Sequence, residues 1–188
     1  MKSSHSQESA SANNGTSLAS QDCRKEARDQ LTLVLSFFSR VDAKASALLA
    51  IDTGMLAILT SNSPPFADIS TPSSIGACLT LLMLSASLWF LYRVAFPTLD
   101  GGHQSLIYFR EIGRRTETGF IDAFTAQDES ARVKDLLGQV WRNSCILSKK
   151  FDSLKLAFIL MALAIIPWSC TVALFSAQHP VIHSLTTK

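Results

Sequence analysis

The chain carries three apolar runs of membrane length, at residues 41–61, 75–96 and 154–177, and its basic residues alternate with them. No other feature restricts the possible folds so strongly. A spanning helix needs about 20 mostly apolar residues, because lipid offers its backbone no hydrogen-bond partner. Of the 17 Lys and Arg residues, Lys2, Arg24, Lys25, Arg28, Arg40 and Lys44 precede the body of the first run. Residues 62–74 carry none, residues 93–155 carry ten, and only Lys188 follows the third run. Cytoplasmic loops concentrate Lys and Arg. The alternation therefore predicts a cytoplasmic N-terminus, a short outer loop, a cytoplasmic segment over 97–153 and an outer, periplasmic tail over 178–188.

Composition supports lipid as part of the solvent. Of 188 residues, 47% are hydrophobic and only 17% charged, against about a quarter charged in ordinary soluble domains. A soluble bundle with buried core helices is the competing reading. The second and third runs are too long and too uniformly apolar for it. The expected class is an all-α integral membrane protein: three transmembrane helices, with a helical cytoplasmic segment between the second and third.

Residues 1–22 hold seven serines and two asparagines. They bury too little apolar surface to offset ordering, and are expected to be disordered. They also lack the apolar core of a secretory signal peptide. A cytoplasmic helix is expected over 23–40, where Ala27, Leu31, Val34, Leu35, Phe38 and Val41 recur at steps of three and four. Nothing breaks this pattern before the first span, so one long helix is expected to enter the membrane.

The first span is the least apolar, because it contains Asp42, Lys44 and Asp52. Ala43, Ala47, Ala50, Gly54, Ala57 and Ser61 form a stripe of small residues, which lets helices approach closely in lipid. The stripe fits packing within one chain and contact between copies equally well. Asp52 lies on another face, with Ala45, Leu48, Met55 and Leu59. An ionisable group in mid-membrane is costly and marks a functional position by default. A polar, protein-facing environment is expected for it. Lys44, Ala50, Asp52 and Gly54 are the candidate assembly or pore residues. Pro64 and Pro65 close this span and Pro97 closes the second, while Pro167 makes a kink plausible inside the third.

In the cytoplasmic segment, Asp100-Gly101-Gly102 is a break. Leu106, Ile107, Phe109 and Ile112 read as one face of a short helix, and Phe120, Ile121 and Phe124 as a second apolar patch. Val133, Leu137, Val140, Ser144, Leu147, Phe151 and Leu154 then recur at steps of four and three. Asp128 is the expected cap of that helix, which continues into the third span.

The net charge of +2 is too weak to indicate binding to a nucleic-acid polymer. The four cysteines have no CxxC spacing, and His5, His103, His179 and His183 are scattered. No nucleophile–base pairing, phosphate loop or metal-ligand cluster stands out, so neither an enzyme nor a metal or cofactor is expected.

The stretch RVDAKASALLAIDTGMLAIL, residues 40–59, resembles the start of the Pycsar effector transmembrane proteins. In that family a D-x-K-A-S-x-L-L motif opens the first span; here it is Asp42, Lys44, Ala45, Ser46, Leu48 and Leu49. Tyr108, Phe109 and Ile112 fit the family's aromatic segment ending in F-x-x-I. The run DLLGQVWRNSCILSKKFDSLKLAF, residues 135–158, is similar to its helix feeding the last span. The resemblance covers about residues 28–176. One departure is Asp52, where a neutral residue such as Asn is common.

The resemblance implies a bacterial anti-phage effector encoded beside a pyrimidine cyclase. The cyclase makes cyclic CMP or cyclic UMP on infection. The effector senses it and disrupts the inner membrane, so that the cell dies before the phage matures. It also implies inner-membrane lipids as surroundings, while the small-residue stripe and Asp52 on another face of the first span lead to the expectation of a homo-oligomer.

A cyclic pyrimidine nucleotide needs a cationic donor for its phosphate and a stacking face for its base. The best sequence cluster is Tyr108, Phe109, Arg110, Arg114 and Arg115. Arg110 and Arg114 are one helical turn apart. The same arginines also fit contact with anionic lipid headgroups. The alternative function is a non-catalytic membrane scaffold that recruits a cytoplasmic partner. A small transporter would show internal repeats, and none is visible.

Overall fold

The computed structural model describes residues 4–65, 70–96, 102 and 104–178. Five helices follow in order: α1 (Ser4–Ser61), α2 (Thr71–Ala95), α3 (Phe109–Ile112), α4 (Glu117–Ala126) and α5 (Glu129–Gln178). Among the described residues there is no strand. Three helices contain stretches long and apolar enough to cross a membrane: Gln21–Ser61 of α1, Thr71–Ala95, and Glu129–Ala177 of α5. The all-α class expected from the sequence is observed, with three helices long and apolar enough to span a membrane.

The described residues fall into two compact units. The first takes residues 4–39 and 102–148. The second takes residues 40–96 and 149–178, and holds the apolar spans.

The span unit is organised by a seven-residue repeat. On α1, Val41, Leu48 and Met55 are buried, with Asp52 and Leu59 four residues beyond the last two. On α2 the buried set is Ser73, Thr80, Ser87 and Val94, joined by Leu84 and Leu91. On α5 it is Lys150, Ala157, Ala164 and Thr171, joined by Leu154, Met161 and Phe175. Steps of three and four summing to seven keep one seam facing its neighbours when helices cross at small angles. Small residues on the α2 and α5 seams bring the backbones close. A Cβ added at Gly76 would overlap Thr171 Oγ1.

The remaining surface of this unit suits lipid. Leu49, Ile51, Ile58, Leu82, Ile166 and other large apolar side chains point outward. The outward hydroxyls of Ser46, Thr53, Thr60 and Ser61 donate to carbonyls of their own helix, at 2.8–3.0 Å to the residue four before. Such back-bonding removes unpaired donors where no water is at hand. Trp89, Tyr92 and Phe96 form an exposed aromatic column at the end of α2, with successive ring centroids 6.0 and 5.0 Å apart. That is the arrangement expected of interfacial aromatics.

The element boundaries bear out several expectations and correct others. Asp128 caps α5, its Oδ1 accepting from Ala131 N at 2.7 Å. Helix α1 stops at Ser61, just ahead of Pro64 and Pro65. Pro167 sits inside α5, which continues through it to Gln178. Thr171 Oγ1 donates to Pro167 O at 2.7 Å.

Helix α1 begins at Ser4, whereas the sequence led us to expect disorder over 1–22 and a helix only from about residue 23. Extending an existing helix costs far less than nucleating one, and residues 4–22 contain no proline and a single glycine. Residues 66–69, 97–101 and the outer tail beyond Gln178 fall largely or wholly outside the described residues.

The expected stripe on the first half of α5 is also revised. Leu147 and Leu154 are buried as anticipated, but Leu137 and Phe151 are exposed. The inward positions include Gln139 and Lys150, which a rule based on apolar spacing does not select. Likewise Leu106 is buried while Ile107 and Phe109 are exposed, so those residues do not share one helix face. The helix there is only the four residues of α3.

Candidate functional site

Two polar constellations stand out, one in each unit. In the span unit, Asp52 is completely buried. Its Oδ2 accepts from Ser87 Oγ at 2.6 Å, while its Oδ1 has no hydrogen-bond partner. The same Ser87 hydroxyl lies 3.1 Å from Ala157 O on α5. One serine thus touches both parallel spans, with α2 running antiparallel between them. Deep in an apolar seam such a contact keeps buried polar groups paired where no water can reach them.

Two further links fasten α1 to α5. Lys150 Nζ pairs with Asp42 Oδ1 at 2.7 Å; the Lys150 side chain is 7% exposed and that of Asp42 54%. Trp168 Nε1 donates to Met55 O at 2.9 Å.

This arrangement separates the assembly residues named from the sequence. Asp52 faces the seam, as expected of a polar, protein-facing position. Ala50 and Gly54 lie on the exposed side of α1 with the rest of the small-residue stripe. Nothing lies within 4 Å of a Cβ built on Gly54. The stripe therefore does not pack against the chain's own spans. Lys44 is exposed, and it is Asp42 of the same motif that finds the basic partner.

The second constellation is a cavity of about 740 Å³ in the first unit, lined by residues of α1, α4, α5 and the segment before α3. Lys25, Arg28 and Arg132 give it positive charge, and Leu31, Leu35, Ile107, Phe124 and Leu136 give it apolar walls. Arg24 also lines it but is paired with Glu129 at 3.0 Å. The Arg132 guanidinium lies 5.1 Å from the Phe124 ring centroid, and its Nη2 donates to Phe124 O at 3.1 Å. Its Nε is buried without an acceptor.

A polar hub holds the chain beside this cavity. Ser105 Oγ accepts from Gln139 Nε2 at 2.9 Å and from the backbone N–H groups of Ile107 and Tyr108 at 3.1 Å. Asp135 Oδ2 accepts from Leu106 N at 2.9 Å. These bonds explain why Gln139 points inward. They replace helix from Ser105 to Tyr108 with a turn pinned to α5.

The cluster chosen from the sequence lies elsewhere. Of the segment 105–115, only Ile107 reaches the cavity. Arg114 is paired with Glu111 at 2.6 Å, and Arg115 donates to Gln104 O at 3.4 Å. Arg110 is exposed, and Phe109 is 65% exposed with its ring edge-on to Tyr108 at 5.1 Å. Tyr108 and Phe109 therefore do come together, but the three arginines do not converge with them on one pocket. Arg28, Arg132 and Phe124 were missed because they are far apart in sequence. The available signal was the basic cluster Arg24, Lys25 and Arg28 on the face that also carries Leu31 and Leu35.

Three apolar helices with a buried polar core, continued by α1 and α5 into a second helical unit, define an α-helical membrane protein. The sequence matches the Pycsar effector protein domain over residues 26–177. The chain belongs to that family, and with it to Pycsar anti-phage defence. Neither comparison with curated proteins nor comparison with solved structures returns a match.

Proposed function

We propose that this chain is the non-catalytic, membrane-disrupting effector of a two-gene Pycsar system. It senses cyclic UMP or cyclic CMP made by an adjacent pyrimidine cyclase. It then breaches the bacterial inner membrane, so that the infected cell dies early. The observation that carries this reading is the family membership of residues 26–177 together with three spans whose seam holds Asp52, Ser87, Thr80 and Thr171. Polar groups at that depth are costly to bury and useful once water enters.

In the resting state these groups are sealed inside the chain, Asp52 against Ser87 and the two threonines on carbonyls of their own helices. Disruption follows when copies associate through the exposed stripe of Ala50, Gly54 and their neighbours and the seam repacks. The N-terminus and the segment 97–153 lie on the cytoplasmic side, where the nucleotide is made.

The test is membrane potential, read by flow cytometry in cells expressing the chain while a cyclase or exported nucleotide supplies each cyclic nucleotide in turn. Depolarisation with a cyclic pyrimidine nucleotide, and none without it, is the expected outcome. Membranes that stay polarised with every nucleotide would return the chain to the scaffold reading.

A further inference from the structure

We propose that the cavity of the first unit is a cyclic mononucleotide site, with the phosphate on Arg28, Lys25 and Arg132 and the base against Phe124 and Leu31. This rests on the effector reading above and assigns the sensing step to particular residues.

The volume of about 740 Å³ falls within the usual range of small-molecule sites, about 300–1,000 Å³. Its lining is divided by chemistry. One part is cationic, opposed among the described lining residues only by Asp22. The rest is aliphatic and aromatic. A ligand that matches both parts is a compact anion carrying a flat, weakly polar ring. A cyclic mononucleotide has that form, with one negative charge and one base.

The charges are also unevenly committed. Arg24 is neutralised by Glu129. Lys25 and Arg28 have no ion-pair partner among the described residues. The buried Nε of Arg132 has no acceptor, a condition native proteins rarely leave standing. The Arg132 side chain also lines the cavity, and a guanidinium binds phosphate with short, strong hydrogen bonds. Arg132 already stacks on Phe124, and Phe124 remains 44% exposed, so the ring has surface left for a base. Base–aromatic stacking contributes on the order of 1–3 kcal/mol in nucleotide sites. An anionic lipid headgroup offers the same phosphate chemistry without the base, and is the alternative source to be separated.

The experiment is equilibrium binding of cyclic UMP and cyclic CMP to the purified full chain in neutral detergent. Parallel titrations in the same detergent use a water-soluble short-chain phosphatidylglycerol. Arg28→Glu and Phe124→Ala should each weaken nucleotide binding at least about tenfold, the loss expected for one charged hydrogen bond or one stacked base. Helicity and elution volume should stay unchanged. Arg110→Ala and Arg114→Ala should bind as the parent chain does.

Arg28 is exposed and Phe124 partly so, which keeps both variants foldable. Binding that survives both of those substitutions would overturn the site while leaving the effector reading in place. A parent chain that binds neither nucleotide would overturn the effector reading itself. Phosphatidylglycerol binding that is lost in Arg28→Glu, with nucleotide binding untouched, would assign the cavity to lipid and overturn the proposal.

Discussion

Ser87 Oγ lies 2.6 Å from Asp52 Oδ2 and 3.1 Å from Ala157 O, so a single hydroxyl ties α2 to both neighbouring spans. Removing it leaves the buried carboxyl without a partner. Ser87→Ala should lower resistance to denaturing detergent, with a coupling to Asp52 of about 0.6–1.7 kcal/mol in a double-mutant cycle, the range seen for hydrogen bonds between membrane helices. Asp52→Asn keeps an acceptor for Ser87 and should perturb activity less than Asp52→Leu. Equal effects of the two would show that the charge, and not the hydrogen bond, matters.

The Asp42–Lys150 pair joins α1 to α5 at the other end of the seam, with the lysine buried and the aspartate half-exposed. Lys150→Ala should cost about 1–3 kcal/mol, between the values for exposed and for fully buried pairs. Exchanging the two residues should recover part of that loss. Thermal unfolding of the single and exchanged variants in detergent checks both statements.

Two glycines should behave in opposite ways. Gly54 meets open space, so Gly54→Leu should insert and fold normally but lose self-association and killing. Gly76 abuts Thr171 Oγ1, so Gly76→Leu should destabilise the span unit by about 1–3 kcal/mol through overpacking. Cross-linking in membranes together with thermal unfolding separates the two effects. A fully active Gly54→Leu would remove the stripe from the mechanism.

Glu129 occupies Arg24 in a solvent-reached ion pair. Glu129→Gln should change stability by less than about 1 kcal/mol. It should tighten nucleotide binding severalfold by releasing a further cation to the cavity. Equilibrium binding at low and high salt measures this, and the gain should shrink as salt rises.

Reporter fusions should place Pro65 and Gln178 outside the cytoplasm and Asp128 within it. The reason is the loop distribution of Lys and Arg. A cytoplasmic signal at Pro65 would overturn the three-span topology.

Much of the span unit was legible along the chain, because a helix of known pitch converts spacing into faces. The face carrying Asp52, Leu48, Met55 and Leu59 followed from steps of three and four, as did the opposite stripe through Gly54. The Asp128 cap followed from local chemistry alone. The inward Gln139 and Lys150 did not. Their burial depends on Ser105 and Asp42, 34 and 108 residues away. The one clue within α2 was the sevenfold recurrence of Ser73, Thr80 and Ser87, which marks a seam without naming its partner.

By itself, then, the sequence determined the helical class, the three apolar runs long enough to span a membrane and the inward face of α1, since these depend on hydropathy and helical period within continuous segments. Only the tertiary structure decided that Asp52 meets Ser87, that the glycine stripe stays uncovered, and that Arg28, Arg132 and Phe124 surround one cavity instead of the arginines at 110–115. Those outcomes depend on which distant side chain satisfies each buried polar group, and no local period carries that information.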